Sequence, residues 1–237
     1  MTGEGPKPAQ PNIRREPALN APWVVTGLVV FLICAHAARW LLGGSISPWA
    51  FASGDLQSGR LIGLVTYQFV HANWPHVLLN AVFVLAFGAP VARYFGENLK
   101  GALLFLVFFL ACGLAAALGY AALIEAWAEL RGGEGDGWAL LGASGAASGL
   151  MGGAVRLMQG RIDGLGDTRL GSLSGRTVIA MSFGWIAINL VLGLTGLTPG
   201  AGGAPVAWQA HIVGYFAGLL AIGIFGSIRG RLDRVLI

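Results

Sequence analysis

From residue 22 to residue 228 the chain is a series of apolar runs broken by short polar stretches. Each run is close to the ~20 residues that a helix needs to cross the hydrocarbon core of a bilayer. The pattern predicts six helical spans, near 22–42, 76–94, 102–124, 138–158, 177–197 and 206–228. Residues 1–21 hold Pro6, Pro8, Pro11 and Pro17 among charged and polar residues, and are expected to form a disordered cytoplasmic tail. Residues 229–237 make a second, short tail, which leaves 22–228 as one membrane domain. The expected fold class is all-α, a polytopic six-helix bundle.

The connections differ in character. The one at 43–75 is too long for a plain connector, and 47–52 and 61–70 within it are moderately apolar, which predicts a surface helix lying in the membrane interface. Glu125, Glu129, Glu134 and Asp136 make the third connection acidic, four glycines make it flexible, and 199–205 forms a short turn before the last span. Gly145, Gly149 and Gly153 recur every four residues in the fourth span, and Gly214 and Gly218 do so in the sixth. Such small-residue faces let helix backbones approach closely in lipid, so these two spans are expected to touch. No internal repeat is visible, which argues against a transporter built from duplicated halves.

Composition agrees with this reading and narrows it. Apolar residues make up 55% of the chain and charged residues 11%, with a mean hydropathy of +0.69, well outside the soluble range of about 25% charged residues. A net charge of +4 would suit nucleic acid, yet the basic residues sit beside the spans and leave no basic face for it. Lys7, Arg14, Arg15, Arg93, Lys100, Arg156, Arg161, Arg169, Arg176, Arg229, Arg231 and Arg234 fall on one side, and only Arg39, Arg60 and Arg131 on the other. By the positive-inside rule both termini are cytoplasmic. The run around Ala35-His36-Ala37 is too long for a signal peptide and reads as a retained span. Cys34 and Cys112 are expected to act as small apolar residues, and no histidine or cysteine spacing predicts a metal site.

Polar residues inside apolar spans are costly, so they mark where chemistry is to be sought. Ser144 should lie about six residues into the fourth span, roughly 9 Å below its start. Gly142 and Gly145 clear space around its hydroxyl. A serine there can simply bond back to a carbonyl or join helices; opposite a base it can be a nucleophile. His211 shares a helical face with Gly214 and Gly218, the face expected to meet the fourth span, and could be that base or a packing residue. His76 and Asn80, one turn apart, could donate to a developing negative charge or merely join helices. His71 is expected to make a structural bond within its loop, and His36 to be a packing residue. No span interior contains Asp or Glu, so a hydrolase here would use a Ser/His dyad.

Taken together, His71-x4-His76-x3-Asn80, Gly142-x-Ser144-Gly145 and Ala210-His211-x2-Gly214-x3-Gly218 resemble the three signatures of the rhomboid intramembrane serine proteases, over about residues 22–228. The resemblance implies the six-span bacterial form in the inner (plasma) membrane, with Ser144 as nucleophile and His211 as general base. It places His76, Asn80 and the Ser144 amide around the oxyanion, and needs no cofactor. It further implies substrates that are themselves membrane spans, cut near the outer face. Two positions depart from the family pattern. Ser148 stands where many members have an aromatic that stacks on the histidine, and Ala92 stands about where many have a Glu, which implies a different bracing of the large outer loop. Two other classes stay open: a non-catalytic relative that binds transmembrane helices, and a transporter or channel with histidine relays.

Overall fold

The computed structural model describes residues 20–132, 139–164, 169–196 and 206–235. Most of the expected tail 1–21, the acidic residues Glu134 and Asp136, the turn at 199–205 and the last two residues lie outside this set. The elements in order are α1 (Trp23–Leu41), α2 (Asp55–Ser58), α3 (Gly63–Thr66), a 3-10 turn (Tyr67–Phe69), α4 (Trp74–Phe95), α5 (Leu99–Arg131), α6 (Ser144–Ile162), α7 (Arg176–Thr195) and α8 (Trp208–Val235). The protein is a polytopic all-helical bundle.

Five of these helices, α1, α4, α5, α7 and α8, are long and apolar enough to cross a membrane. The sixth member of the bundle, α6, is not, and its position explains why. It packs against α4, α5, α7 and α8, and 13 of its 19 residues are buried. A helix largely shielded from lipid by its neighbours can be built from Gly, Ala and Ser, because most of its surface never meets hydrocarbon. Conversely, α7 buries only Val178 and Asn189 and turns Phe183, Val191 and Leu194 outward.

The close approach of α6 to α8 follows from their glycines. A Cβ on Gly214 would overlap the Gly145 carbonyl, one on Gly218 the Gly149 carbonyl, and one on Gly152 the Tyr215 carbonyl. In lipid there is little hydrophobic drive between helices, so van der Waals contact at this range is what holds them. Beneath this contact the bundle is filled by Val25, Leu32, Val84, Phe105, Phe108, Leu150 and Ile222.

Three boundaries differ by more than a turn from those the sequence predicts: the sixth span, expected to end near 228, runs on as α8 to Val235, so most of the expected 229–237 tail is helical. The third span extends on to Arg131 as a single 33-residue helix. The fourth begins only at Ser144, because 139–143 is held in an extended turn. The 43–75 connection, for which a surface helix was expected, forms two four-residue helices and the 3-10 turn instead. Its brace is an ion pair. Arg60 grips Asp55 through Nε at 2.9 Å and Nη2 at 2.6 Å, and reaches the carbonyls of Ser47, Pro48 and Ala50. Ala92 lies at the opposite end of α4 from His76, far from this loop, so its departure from the family pattern has no bearing on the loop's bracing.

The basic residues separate by end as their sequence positions suggest. Arg39 donates to the His71 carbonyl at the end where α4 and α6 begin. Arg229 donates to the Tyr94 carbonyl and Arg93 to that of Asn20, at the other.

The glycine contact makes a direct prediction. Gly218→Ala should lower stability by about 1–3 kcal/mol through overpacking against backbone, whereas Gly184→Ala on α7, where a Cβ would meet nothing within 4 Å, should be neutral or stabilising. Thermal unfolding of both variants in detergent checks the difference; equal melting temperatures would mean that α6 and α8 do not approach this closely.

Candidate active site

Helix α4 starts where it does because Asn73 caps it, its Oδ1 accepting the His76 N–H at 2.9 Å, with Pro75 in the first turn. His76 and Asn80 then follow one turn apart on one face. Asn80 is buried, and its Nδ2 donates to the His76 carbonyl at 2.9 Å. The amide's second hydrogen remains to serve another acceptor.

Residues 139–143 arrive at the same place through four backbone anchors. Leu140 and Phe51 exchange hydrogen bonds of 3.1 and 2.6 Å, Gly142 N donates to the Tyr67 carbonyl at 2.9 Å, and Ala143 N donates to His71 Nε2 at 3.3 Å. Gly142 adopts φ +99°, and a Cβ there would stand 2.6 Å from His76 Nε2, so both the turn and the approach of α4 require glycine. Tyr67, which sequence reasoning missed, is the hub of this anchoring. It is buried, and its hydroxyl donates to the Gly113 carbonyl at 2.8 Å. Only its aromatic character beside a motif histidine could have drawn notice to it.

The turn delivers Ser144 as the first residue of α6, not six residues inside it. At this position the Ser144 N–H belongs to the first turn of a helix, whose amides lack intrahelical partners and whose dipole favours negative charge. Ser144 Oγ lies 2.8 Å from His211 Nε2. On the other side of the ring, His211 Nδ1 lies 2.9 Å from Asn189 Oδ1 of α7. Asn189 was not singled out from the sequence; a lone Asn in an otherwise lipid-facing span was the available signal.

The remaining motif residues fall into place around this pair. Ser144, His76 and His211 are half-buried, while His71 and Asn80 are fully enclosed. Ser148 does not reach the imidazole: its hydroxyl turns back to the Ser144 carbonyl at 2.7 Å. Gly145 lets α6 sit against Ala116 of α5, where a Cβ would come within 2.7 Å of that side chain. His36 is buried edge-on to Trp74, with ring centroids 4.8 Å apart. Cys34 and Cys112 are free thiols. Among the described residues, no cluster of three or more His, Cys, Asp or Glu is arranged to hold a metal ion.

A hydroxyl bonded to an imidazole, with free amide donors beside it at the mouth of a membrane bundle, is an arrangement able to carry out acyl transfer. The Rhomboid domain model matches residues 58–228, most of the chain, and the chain therefore belongs to the rhomboid family. It is an integral membrane protein of that family. No curated protein matches the chain.

His71, in the loop ahead of α4, gives the site a pH limit. Its Nε2 can accept the Ala143 N–H only when the ring is neutral. Burial, then the charges that His76, His36 and Arg39 can carry, push its pKa from the ordinary 6.5 down to about 3. Between those two values the unfolded chain takes up a proton that the folded one refuses. Stability contributed by the neutral ring is therefore present above about 6.5 and lost as pH falls towards 3, with a slope of up to ~1.4 kcal/mol per pH unit. Thermal unfolding at neutral and mildly acidic pH should show a smaller acid loss in His71→Gln than in wild type; parallel curves would remove His71 as the acid-sensitive anchor.

Proposed function

We propose that the protein is an intramembrane serine endopeptidase that cuts transmembrane helices of other membrane proteins through a Ser144/His211 dyad. The observation that carries this reading is the 2.8 Å hydrogen bond between Ser144 Oγ and His211 Nε2 at the start of α6, beside His76 and Asn80. Membership of the rhomboid family supports it.

In the proposed reaction Ser144 Oγ attacks the scissile carbonyl carbon as its proton passes to His211 Nε2. Negative charge grows on the carbonyl oxygen, where the Ser144 amide, Asn80 Nδ2 and the His76 ring can donate, assisted by the α6 dipole. The imidazolium then returns the proton to the leaving amine, and the C–N bond breaks. Water repeats the sequence on the acyl-enzyme, releasing the carboxylate and restoring the serine. No cofactor enters these steps.

An intact helix hides its carbonyls in internal hydrogen bonds, so the substrate segment must unwind locally. Gly or Pro near the cut favours that. The half-buried reactive residues lie at the end of the bundle that carries Arg39 and Arg60, the side with fewer basic residues, and by the positive-inside rule this supports cleavage near the outer face of a bacterial plasma membrane with both termini cytoplasmic.

Purified protein in detergent, incubated with a panel of transmembrane substrates and with a fluorophosphonate probe, tests the proposal. Wild type should cleave and label; Ser144→Ala and His211→Ala should do neither while still inserting and folding. Asn80→Ala should cut about 10² to 10³ times more slowly if it donates fully to the oxyanion. Cleavage by Ser144→Ala at the wild-type rate would refute the dyad, and a wild type inert to both substrate and probe would favour a helix-binding relative without catalysis.

A further inference from the structure

We infer that Asn189 is a positioning residue for His211, holding the imidazole from α7 in the tautomer and orientation that the serine needs. The inference rests on the dyad reading above and adds to it a third group from a different helix.

Two observations and their consequence carry it. First, Asn189 is 3% exposed on a helix that otherwise buries only Val178, so this amide is turned inward while its neighbours meet lipid. A buried amide is costly unless satisfied, and this one is satisfied at both ends. Second, its orientation is determined by its partners. Asn189 Nδ2 donates to the Trp185 carbonyl at 2.9 Å, an atom that can only accept. Turning the amide over would set oxygen against oxygen there, so Oδ1 is the atom facing His211 Nδ1 at 2.9 Å.

The third step is a consequence. Because Oδ1 can only accept, Nδ1 must carry the ring's hydrogen, and in a neutral imidazole Nε2 then keeps its lone pair. That lone pair points at Ser144 Oγ, 2.8 Å away, as a base requires. An amide here supplies the orienting role of a third triad member without bringing a carboxylate into the membrane. Trp185, one turn earlier on α7, adds a second hold: its Nε1 donates to the His211 carbonyl at 3.4 Å, and the two rings lie 6.4 Å apart at 38°. This pair stands in for the stacking aromatic whose position is taken by Ser148, which faces its own helix instead.

The test compares Asn189→Leu, which removes the acceptor and keeps the bulk, with Asn189→Asp, which keeps the acceptor and removes the donor. Asn189→Leu should lower kcat about tenfold with KM unchanged, the effect of losing one ordinary hydrogen bond in the transition state. Asn189→Asp should recover kcat relative to Asn189→Leu. If packing alone mattered, Leu would be the better tolerated of the two, and that order would overturn the inference. Histidine nitrogen shifts of isotope-labelled protein, assigned by the one signal lost in folded His211→Gln, supply a readout that needs neither catalysis nor an Asn189 variant. Wild type should show His211 protonated at Nδ1, and the opposite tautomer would refute the role of Asn189 outright. Should wild type neither cleave nor label while its His211 is protonated at Nδ1, the enzymatic reading fails and the positioning contact stands.

Discussion

The contact of α6 with α8 is the constraint on which the rest of the structure depends. Two helices bearing ordinary side chains along their facing surfaces would be held further apart, and a serine hydroxyl could not then reach an imidazole on the other helix. Gly152 on α6 and Gly214 and Gly218 on α8 remove that obstruction, and backbone meets backbone along the seam. The 2.8 Å Ser144–His211 bond lies at one end of this seam and takes its geometry from it. Overlap along the seam would therefore displace the reactive pair as well as weaken the bundle.

The chain's route through the membrane adds a second effect. Helices α4, α6 and α8 run in one direction, so their N-terminal turns meet at one end, with His76, Ser144 and His211 within the first turns. That end carries unpaired amide donors and the positive ends of the helix dipoles. Negative charge developing on a substrate carbonyl would be stabilised there without any cation in the membrane. Tyr67 and His71 tie down the backbone of 139–143 at this end, and in the proposed reaction each group so held would be one that need not reorganise.

The neighbours of the dyad divide the labour between stiff and loosely held parts. The serine rides on α6, enclosed by four other helices, whereas the imidazole is also held from α7, the helix with the least buried surface. Buried Asn189 and half-buried Trp185 are the points at which α7 meets the histidine. Polar bonds hold this side because in lipid a Leu or Phe on α7 gains as much from the acyl chains as from the protein. A hydrogen bond has no such substitute in hydrocarbon.

Much of this protein could be read from the order of its residues. The order of the apolar helices, the helical fold class and the distribution of basic residues along the chain depend on local hydropathy and charge, which act on each segment separately. The pairing of glycine faces was visible too, because a four-residue repeat of small residues has meaning on any helix. What only the folded chain decided was how separate segments meet. Helix α6 begins at Ser144 because Gly142 turns against His76 and because Tyr67 and His71, far away in sequence, take up the preceding amides. Asn189 was indistinguishable from a packing residue until α7 was laid beside α8. Hydrogen bonds between distant residues leave no periodic trace in a sequence, and it is those bonds, rather than the apolar pattern, that set the position of each reactive atom.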